Sequence, residues 1–321
     1  MLLDILLIVV GIVLVLTGAD RMTEGASAIA RRWRVPELVI GLTIVAAGTS
    51  APELFVSLVS ALRGTPDMAV GNVIGSNIFN TLLIVGCAAM VAPMTISVST
   101  VRKDIPATVI ASVLLIGCCV DRFDRLSLNG NMISRIDGIV LVVCFALFMR
   151  YTLRQATASK QDATETVTSV SLPSMSLWAA WLWLLAGLVA LIFGSNLFVG
   201  SASSVAVSLG MSESVVGLTI VAGGTSLPEL ATSVVAARKG QSAIAIGNVI
   251  GSNVFNILAI LGLTALVCPM RIGGITLLDV AVQLFSILLL WFFCYTKYTV
   301  ARWEGALLTL LFLGYMSWIL V

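Results

Sequence analysis

The sequence predicts an all-α, polytopic membrane protein: ten transmembrane helices arranged as two inverted five-helix repeats. Three observations predict it. Of 321 residues, 59% are hydrophobic and 11% charged, far below the roughly 25% charged residues of soluble domains. Apolar runs of about 20 residues, the length that crosses a bilayer, follow one another along most of the chain. The segment Gly41 to Asn80 recurs as Gly217 to Asn256, displaced by 176 positions and identical at 26 of 40 positions without a gap.

The first apolar run, near residues 2–18, reads as a membrane helix and not as a secretory signal. It carries Asp4, has no Lys or Arg before the apolar stretch, and is followed by no small-residue cleavage site. Breakers and apolar runs place the other spans near 36–61, 67–91, 104–120, 134–151, 177–199, 213–237, 242–267, 276–296 and 302–320. The one polar linker, rich in Ser, Thr, Ala and Gln, divides the single membrane domain into a first repeat (1–151), a cytoplasmic linker (152–176) and a second repeat (177–321).

Five spans per half is an odd number, so equivalent helices cross in opposite directions. That is an inverted repeat with its pseudo-two-fold axis in the membrane plane. The spans put Arg21, Arg31, Arg32, Arg34, Arg102, Lys103, Arg150, Arg154, Lys160, Arg238, Lys239, Lys297 and Arg302 on one side, and Arg63, Arg122, Arg125, Arg135 and Arg271 on the other. The richer side is expected to face the cytoplasm, with both termini outside a plasma (inner) membrane.

Composition also excludes. There is no histidine, which removes His-based zinc sites, Ser-His catalysis and a histidine pH switch. The six cysteines lie in or beside spans without metal-ligand spacing and read as small packing residues. Asp20, Asp104, Asp137, Asp279 and Glu304 fall near span ends and read as interfacial, as do Trp178, Trp291 and Trp303 in an aromatic belt. The expected partner is the lipid bilayer, with no nucleic acid and no obligatory protein partner.

The repeat carries the chemistry. Each copy puts a glutamate, Glu53 or Glu229, inside an otherwise apolar stretch. A carboxylate at mid-membrane costs about 2.5–3.5 kcal/mol on insertion scales, and two such costs point to a cation bound by both. In Gly48-Thr49-Ser50-Ala51-Pro52-Glu53 and Gly224-Thr225-Ser226-Leu227-Pro228-Glu229, proline removes an amide donor and clashes with the glycine carbonyl four residues back. The expected result is a helix broken at mid-membrane, with carbonyls around Ala46 to Gly48 and Ala222 to Gly224 released. Thr49, Ser50 and Glu53 share a helix face by their spacing.

The second element runs from Gly71 to Asn80 and again from Gly247 to Asn256. Ser76 and Asn80, like Ser252 and Asn256, are four apart on one face. Gly71 and Gly75, with Gly247 and Gly251, make a small-xxx-small strip for close helix approach. Asn77 and Asn253 lie one residue off the Ser/Asn face and read as packing or loop-satisfying residues, a role also read for Asn72 and Asn248. The sum is an all-oxygen site suited to hard cations such as Ca²⁺, which takes about 6–8 oxygens, and not to soft metals. Two ionised glutamates balance one Ca²⁺ or two Na⁺, and such a site favours exchange over leak.

These two copies of G-T-S-x-P-E followed by G-N-x-x-G-S-N resemble the α-repeats of the cation/Ca²⁺ exchanger superfamily, specifically its prokaryotic sodium/calcium exchangers. The resemblance implies ten helices, four central ion sites and alternating access by sliding of the first and sixth helices. It implies no cofactor, with Ca²⁺ and Na⁺ bound only as cargo. By position the implied ligands are Glu53, Glu229, Thr49, Ser50, Thr225, Ser226, Ser76, Asn80, Ser252 and Asn256, with the carbonyls of Ala46 and Ala222. Asn at both 80 and 256, where relatives that use K⁺ carry an acid, speaks against K⁺ co-transport. A Ca²⁺/H⁺ exchanger is the nearest alternative, but that branch places an acid where this chain has Gly75 and Gly251. A passive channel fits inverted duplication poorly, and an intramembrane enzyme lacks both His and a G-x-G-D motif.

Overall fold

The structure, a computed structural model, describes residues 2–119, 131–165, 175–210, 222–273 and 275–320. Among the described residues it is all-α apart from four two-residue strands. The first half holds α1 (Leu2–Trp33), α2 (Glu37–Thr49), α3 (Ala51–Leu62), α4 (Pro66–Val91), α5 (Ile105–Cys119) and α6 (Arg135–Glu165). The second holds α7 (Leu177–Ser208), the single turn α8 (Ala222–Thr225), α9 (Leu227–Arg238), α10 (Ser242–Val267), α11 (Leu277–Lys297) and α12 (Arg302–Leu320). The strands are β1 (Met94–Thr95), β2 (Met132–Ile133), β3 (Met270–Arg271) and β4 (Thr299–Val300).

Among the described residues six helices, α1, α4, α6, α7, α10 and α11, are long and apolar enough to cross a membrane, and the bent pair α2–α3 makes a seventh. The chain is therefore a multi-pass membrane protein. The other expected spans coincide with α5, α9 and α12, of 15, 12 and 19 residues. The start of the expected 213–237 span, including Gly217 to Val221 of the second repeat copy, lies outside the described residues, as do Arg122, Arg125 and most of the polar linker.

Three helices outrun their expected ends. α1 continues from residue 18 to Trp33, α7 from 199 to Ser208, and α6 enters the 152–176 linker. For α1 the reason is its two-sided surface. Gly25, Ala26, Ser27, Ile29 and Ala30 are buried, while Lys239 Nζ meets Asp20 Oδ1 at 2.7 Å and Glu24 Oε1 at 3.4 Å. A purely apolar-run criterion stops at the first charges, whereas the helix tolerates charges that have partners.

α1 and α7 pack antiparallel along a glycine seam. A methyl group on Gly11, Gly18 or Gly25 would fall 2.9, 2.8 or 2.6 Å from the carbonyl oxygen of Gly194, Gly187 or Ala180. Lipid supplies no hydrophobic drive between helices, so backbone approach through small residues is what holds such a pair. Each short sheet joins the two halves: Met94 pairs with Val300 and Ile133 with Met270, both antiparallel.

Three of the acids near span ends cap helices. Asp137 Oδ2 accepts from Ser134 N at 2.8 Å, Asp279 Oδ2 from Thr276 N at 2.8 Å, and Glu304 Oε2 from Ala301 N at 2.7 Å. Each satisfies an amide that the first helical turn leaves without an intrahelical partner. Glu304 and Asp104 lie at helix starts and are covered by protein, at 4% and 1% exposure. Trp178 and Trp303 are exposed as an aromatic belt requires, but Trp291 turns inward to donate Nε1–H to Val101 O at 2.8 Å. All six cysteines are free thiols.

Candidate ion-binding site

The two proline motifs do break their helices. α2 and α3 meet at Ser50 with a 45° bend, and Ser226 separates α8 from α9 in the same way, with φ −82° and −91° at the two serines. Each proline lies in the first turn of the new helix, where its missing amide costs nothing. The bend aims Glu53 and Glu229 inward from the first turns of α3 and α9, where they are 0% and 1% exposed. The positive ends of both helix dipoles favour a carboxylate there.

The carbonyls behave differently from expectation. Ala46 O is not released: it accepts Ser50 N at 3.0 Å and lies 3.3 Å from Thr49 Oγ1. The bend at Ser50 still leaves one normal i→i−4 bond across the break, because proline removes the donor two residues later. Gly224 O does leave the helix ladder, and Ser195 Oγ on α7 donates to it at 2.7 Å. Ala222 opens α8.

Hydrogen bonds cross between the motifs reciprocally. Ser50 Oγ donates to Glu229 Oε1 at 3.0 Å, and Ser226 Oγ donates to Glu53 Oε1 at 3.0 Å. Ser226 Oγ also lies 3.4 Å from Ser76 Oγ, and Thr49 Oγ1 donates to Asn248 Oδ1 at 3.1 Å. A hydroxyl that gives its only proton away keeps two lone pairs for a cation.

Asn80 and Asn256 arrive on equivalent features. Each is the second residue of a wide π-helical stretch, Phe79–Ile84 in α4 and Phe255–Leu261 in α10. Such stretches rotate side chains out of α-helical register and cluster at functional sites. Asn80 and Asn256 are 1% and 0% exposed.

Five of the expected ligand atoms share a property. Glu53 Oε2, Glu229 Oε2, Asn80 Oδ1, Asn256 Oδ1 and Ser252 Oγ are buried and have no hydrogen-bond partner. No described ion pair involves either glutamate. Among the described residues no group of three or more acids or cysteines gathers anywhere, so the carboxylate count at this site is two. Buried polar atoms normally find partners, because an unmade hydrogen bond costs about 1–3 kcal/mol and more for a charge. Two buried carboxylates surrounded by neutral oxygens have the charge and the donor chemistry that a hard cation requires.

Residues read from sequence as packing turn out to brace this site. Asn72 Nδ2 donates to Glu53 O at 3.2 Å and to Ser57 Oγ at 3.0 Å; Asn248 Nδ2 donates to Glu229 O at 3.4 Å and to Ser233 Oγ at 3.0 Å. Ser57 and Ser233 were missed, although both are identities between the repeat copies. Ser195 lies outside the repeat and gave no signal. Gly247 and Gly251 make the close approach expected of them: a methyl group on Gly251 would fall 2.7 Å from Leu42 O. The strip that would meet Gly71 and Gly75 by the same relation includes residues 217–221, outside the described residues.

Comparison with known proteins agrees with this geometry. The family model "Sodium/calcium exchanger protein" matches residues 3–154 and again 179–321. The chain therefore belongs to the sodium/calcium exchanger protein family, a family of transporters. It is 38% identical to CaxA of Alkalimonas amylolytica over 98% of both chains. It is 31% identical to the sodium/calcium exchanger MaX1 of Methanosarcina acetivorans, over 98% of this chain and 97% of that one. Among solved structures, the sodium-calcium exchanger NCX_Mj superposes with a TM-score of 0.83 at 30% identity, covering 98% of each chain. Cation/Ca²⁺ exchange across a membrane is the class of activity that follows.

Proposed function

We propose that this protein is a secondary active antiporter that exchanges Na⁺ for Ca²⁺ by alternating access at the central oxygen site. Its ten helices would form two inverted five-helix repeats, in a plasma (inner) membrane with both termini outside. The observation that carries the reading is the set of five buried oxygens without partners, two of them on carboxylates. The ligands are Glu53, Glu229, Thr49, Ser50, Thr225, Ser226, Ser76, Asn80, Ser252 and Asn256, with carbonyl oxygens of Ala46 and Ala222. No cofactor is required. The inverted arrangement is supported by the reciprocal serine–glutamate bonds and by sheets that each pair one strand from either half.

The chemistry follows from charge. Two carboxylates neutralise one Ca²⁺ or two Na⁺, and an ion-free site leaves two like charges in a low-dielectric interior. Conversion between the two states of access is then favourable only with cargo aboard, which couples the opposing fluxes. Hydroxyl and amide oxygens replace the hydration shell without adding charge, so Na⁺ and Ca²⁺ compete for overlapping positions.

The deciding experiment is ⁴⁵Ca²⁺ uptake into Na⁺-loaded liposomes containing purified protein, diluted into Na⁺-free buffer, with a K⁺-free arm and an imposed pH gradient. Uptake that needs internal Na⁺ and ignores K⁺ and pH is the expected result. Uptake driven by the proton gradient alone would move the protein to Ca²⁺/H⁺ exchange. In the same assay Ser226→Ala, which removes the donor to Glu53 Oε1, is expected to raise half-saturating Ca²⁺ about tenfold, the worth of a hydrogen bond to a charged group. An unchanged value would remove Ser226 from the ligand set.

A further inference from the structure

Asn80 and Asn256 are useful to a cation only through their carbonyl oxygens. A carboxamide has an oxygen at one end and an NH₂ donor at the other, and turning it over would present a repulsive donor to the ion. Asn differs in this from Glu, whose two ends are both oxygen. Something must therefore choose the orientation, and the next-door asparagines do so.

Asn77 Nδ2 donates to the backbone carbonyl of Asn253 at 3.3 Å. A carbonyl only accepts, so Asn77 is held with its Oδ1 at the other end. That oxygen accepts from Asn256 Nδ2 at 3.1 Å, which leaves Asn256 Oδ1 pointing away, buried and without partner. The reciprocal chain runs through Asn253. Its Nδ2 is 2.8 Å from Thr81 Oγ1, and its Oδ1 accepts from Asn80 Nδ2 at 3.1 Å, leaving Asn80 Oδ1 without partner. All four side chains are at most 2% exposed, so water cannot substitute for these partners. The two locks are built differently: the residue 176 positions beyond Thr81 is Ile257, which offers no hydroxyl.

We infer that Asn77 and Asn253 are positioning residues that fix the amide polarity of Asn256 and Asn80, and so set the site's affinity for its cation without touching it. This rests on Asn80 and Asn256 being ion ligands. The test uses the full-length protein in Na⁺-loaded liposomes, reading half-saturating Ca²⁺ for uptake. Asn77→Leu, close in shape but unable to accept, is expected to raise it about tenfold, as for loss of a buried hydrogen-bond partner. In an Asn256→Asp background the same change is expected to stay within about twofold of the parent, because a carboxylate offers oxygen at either end. An equal loss in both backgrounds, or no loss in the native one, overturns the inference. Asn256→Leu leaving half-saturating Ca²⁺ unchanged would instead overturn the ligand assignment beneath it. If Asn77→Leu does not yield folded protein, Asn253→Leu with Asn80→Asp makes the same comparison from the other half, with the same expected and overturning results.

Discussion

Glu53→Gln or Glu229→Gln is expected to abolish Na⁺-dependent Ca²⁺ uptake while the protein still purifies as a folded species. Each glutamate is buried, unpaired with any described cation, and bound through Oε1 to a serine of the opposite motif. Glutamine keeps the shape and an oxygen for that serine but halves the charge available to a divalent ion. Removing one member of a buried charge pair costs about 2–5 kcal/mol, or roughly 30- to 4,000-fold in affinity. The fold should gain stability, since a neutral amide is cheaper to bury than a carboxylate. Thermal unfolding in detergent and ⁴⁵Ca²⁺ flux, measured on the same preparation, separate the two effects. Either variant retaining full Na⁺-dependent flux would sink the site assignment.

Gly187→Leu is expected to be the most damaging substitution outside the site. A methyl at this position already falls 2.6 Å from both Gly18 O and Met22 N, which are backbone atoms of α1 and cannot swing aside. The two helices must separate, losing contact along a seam that also includes Gly11, Gly25 and Gly194. Overpacking a well-filled interior costs about 1–3 kcal/mol and more where backbone must move. The expected outcome is a large fall in the unfolding temperature in detergent and loss of monodisperse protein. Gly314→Leu in α12, where a methyl meets no described atom within 4 Å, is the control and should leave both unchanged.

Much of the membrane architecture was legible because bilayer physics writes it into composition. A span must be apolar for about 20 residues, so α4, α10 and α11 matched their expected bounds within a few residues. The ends of α1 and α7 were illegible for the complementary reason. Beyond the apolar run a helix persists only if a neighbour covers one face, and that neighbour lies more than 150 residues away in sequence. The burial of Asp104 and Glu304 was illegible for the same cause: proximity to a span end says nothing about what packs over it.

The candidate site divides along the same line. The sequence by itself determined which atoms are there: two glutamates, their serine and threonine neighbours and two asparagines, marked by duplication and by the cost of putting carboxylates in hydrocarbon. It also located the breaks, since proline two residues after Ser50 and Ser226 allows little else. Only the tertiary structure decided how those atoms are connected. That Ser50 serves Glu229 and not its own neighbour Glu53, and that Asn77 orients Asn256, both depend on contacts between segments about 176 residues apart. Local spacing places side chains on a face. Which partner meets that face is set when the two halves close on each other and every buried donor must find an acceptor.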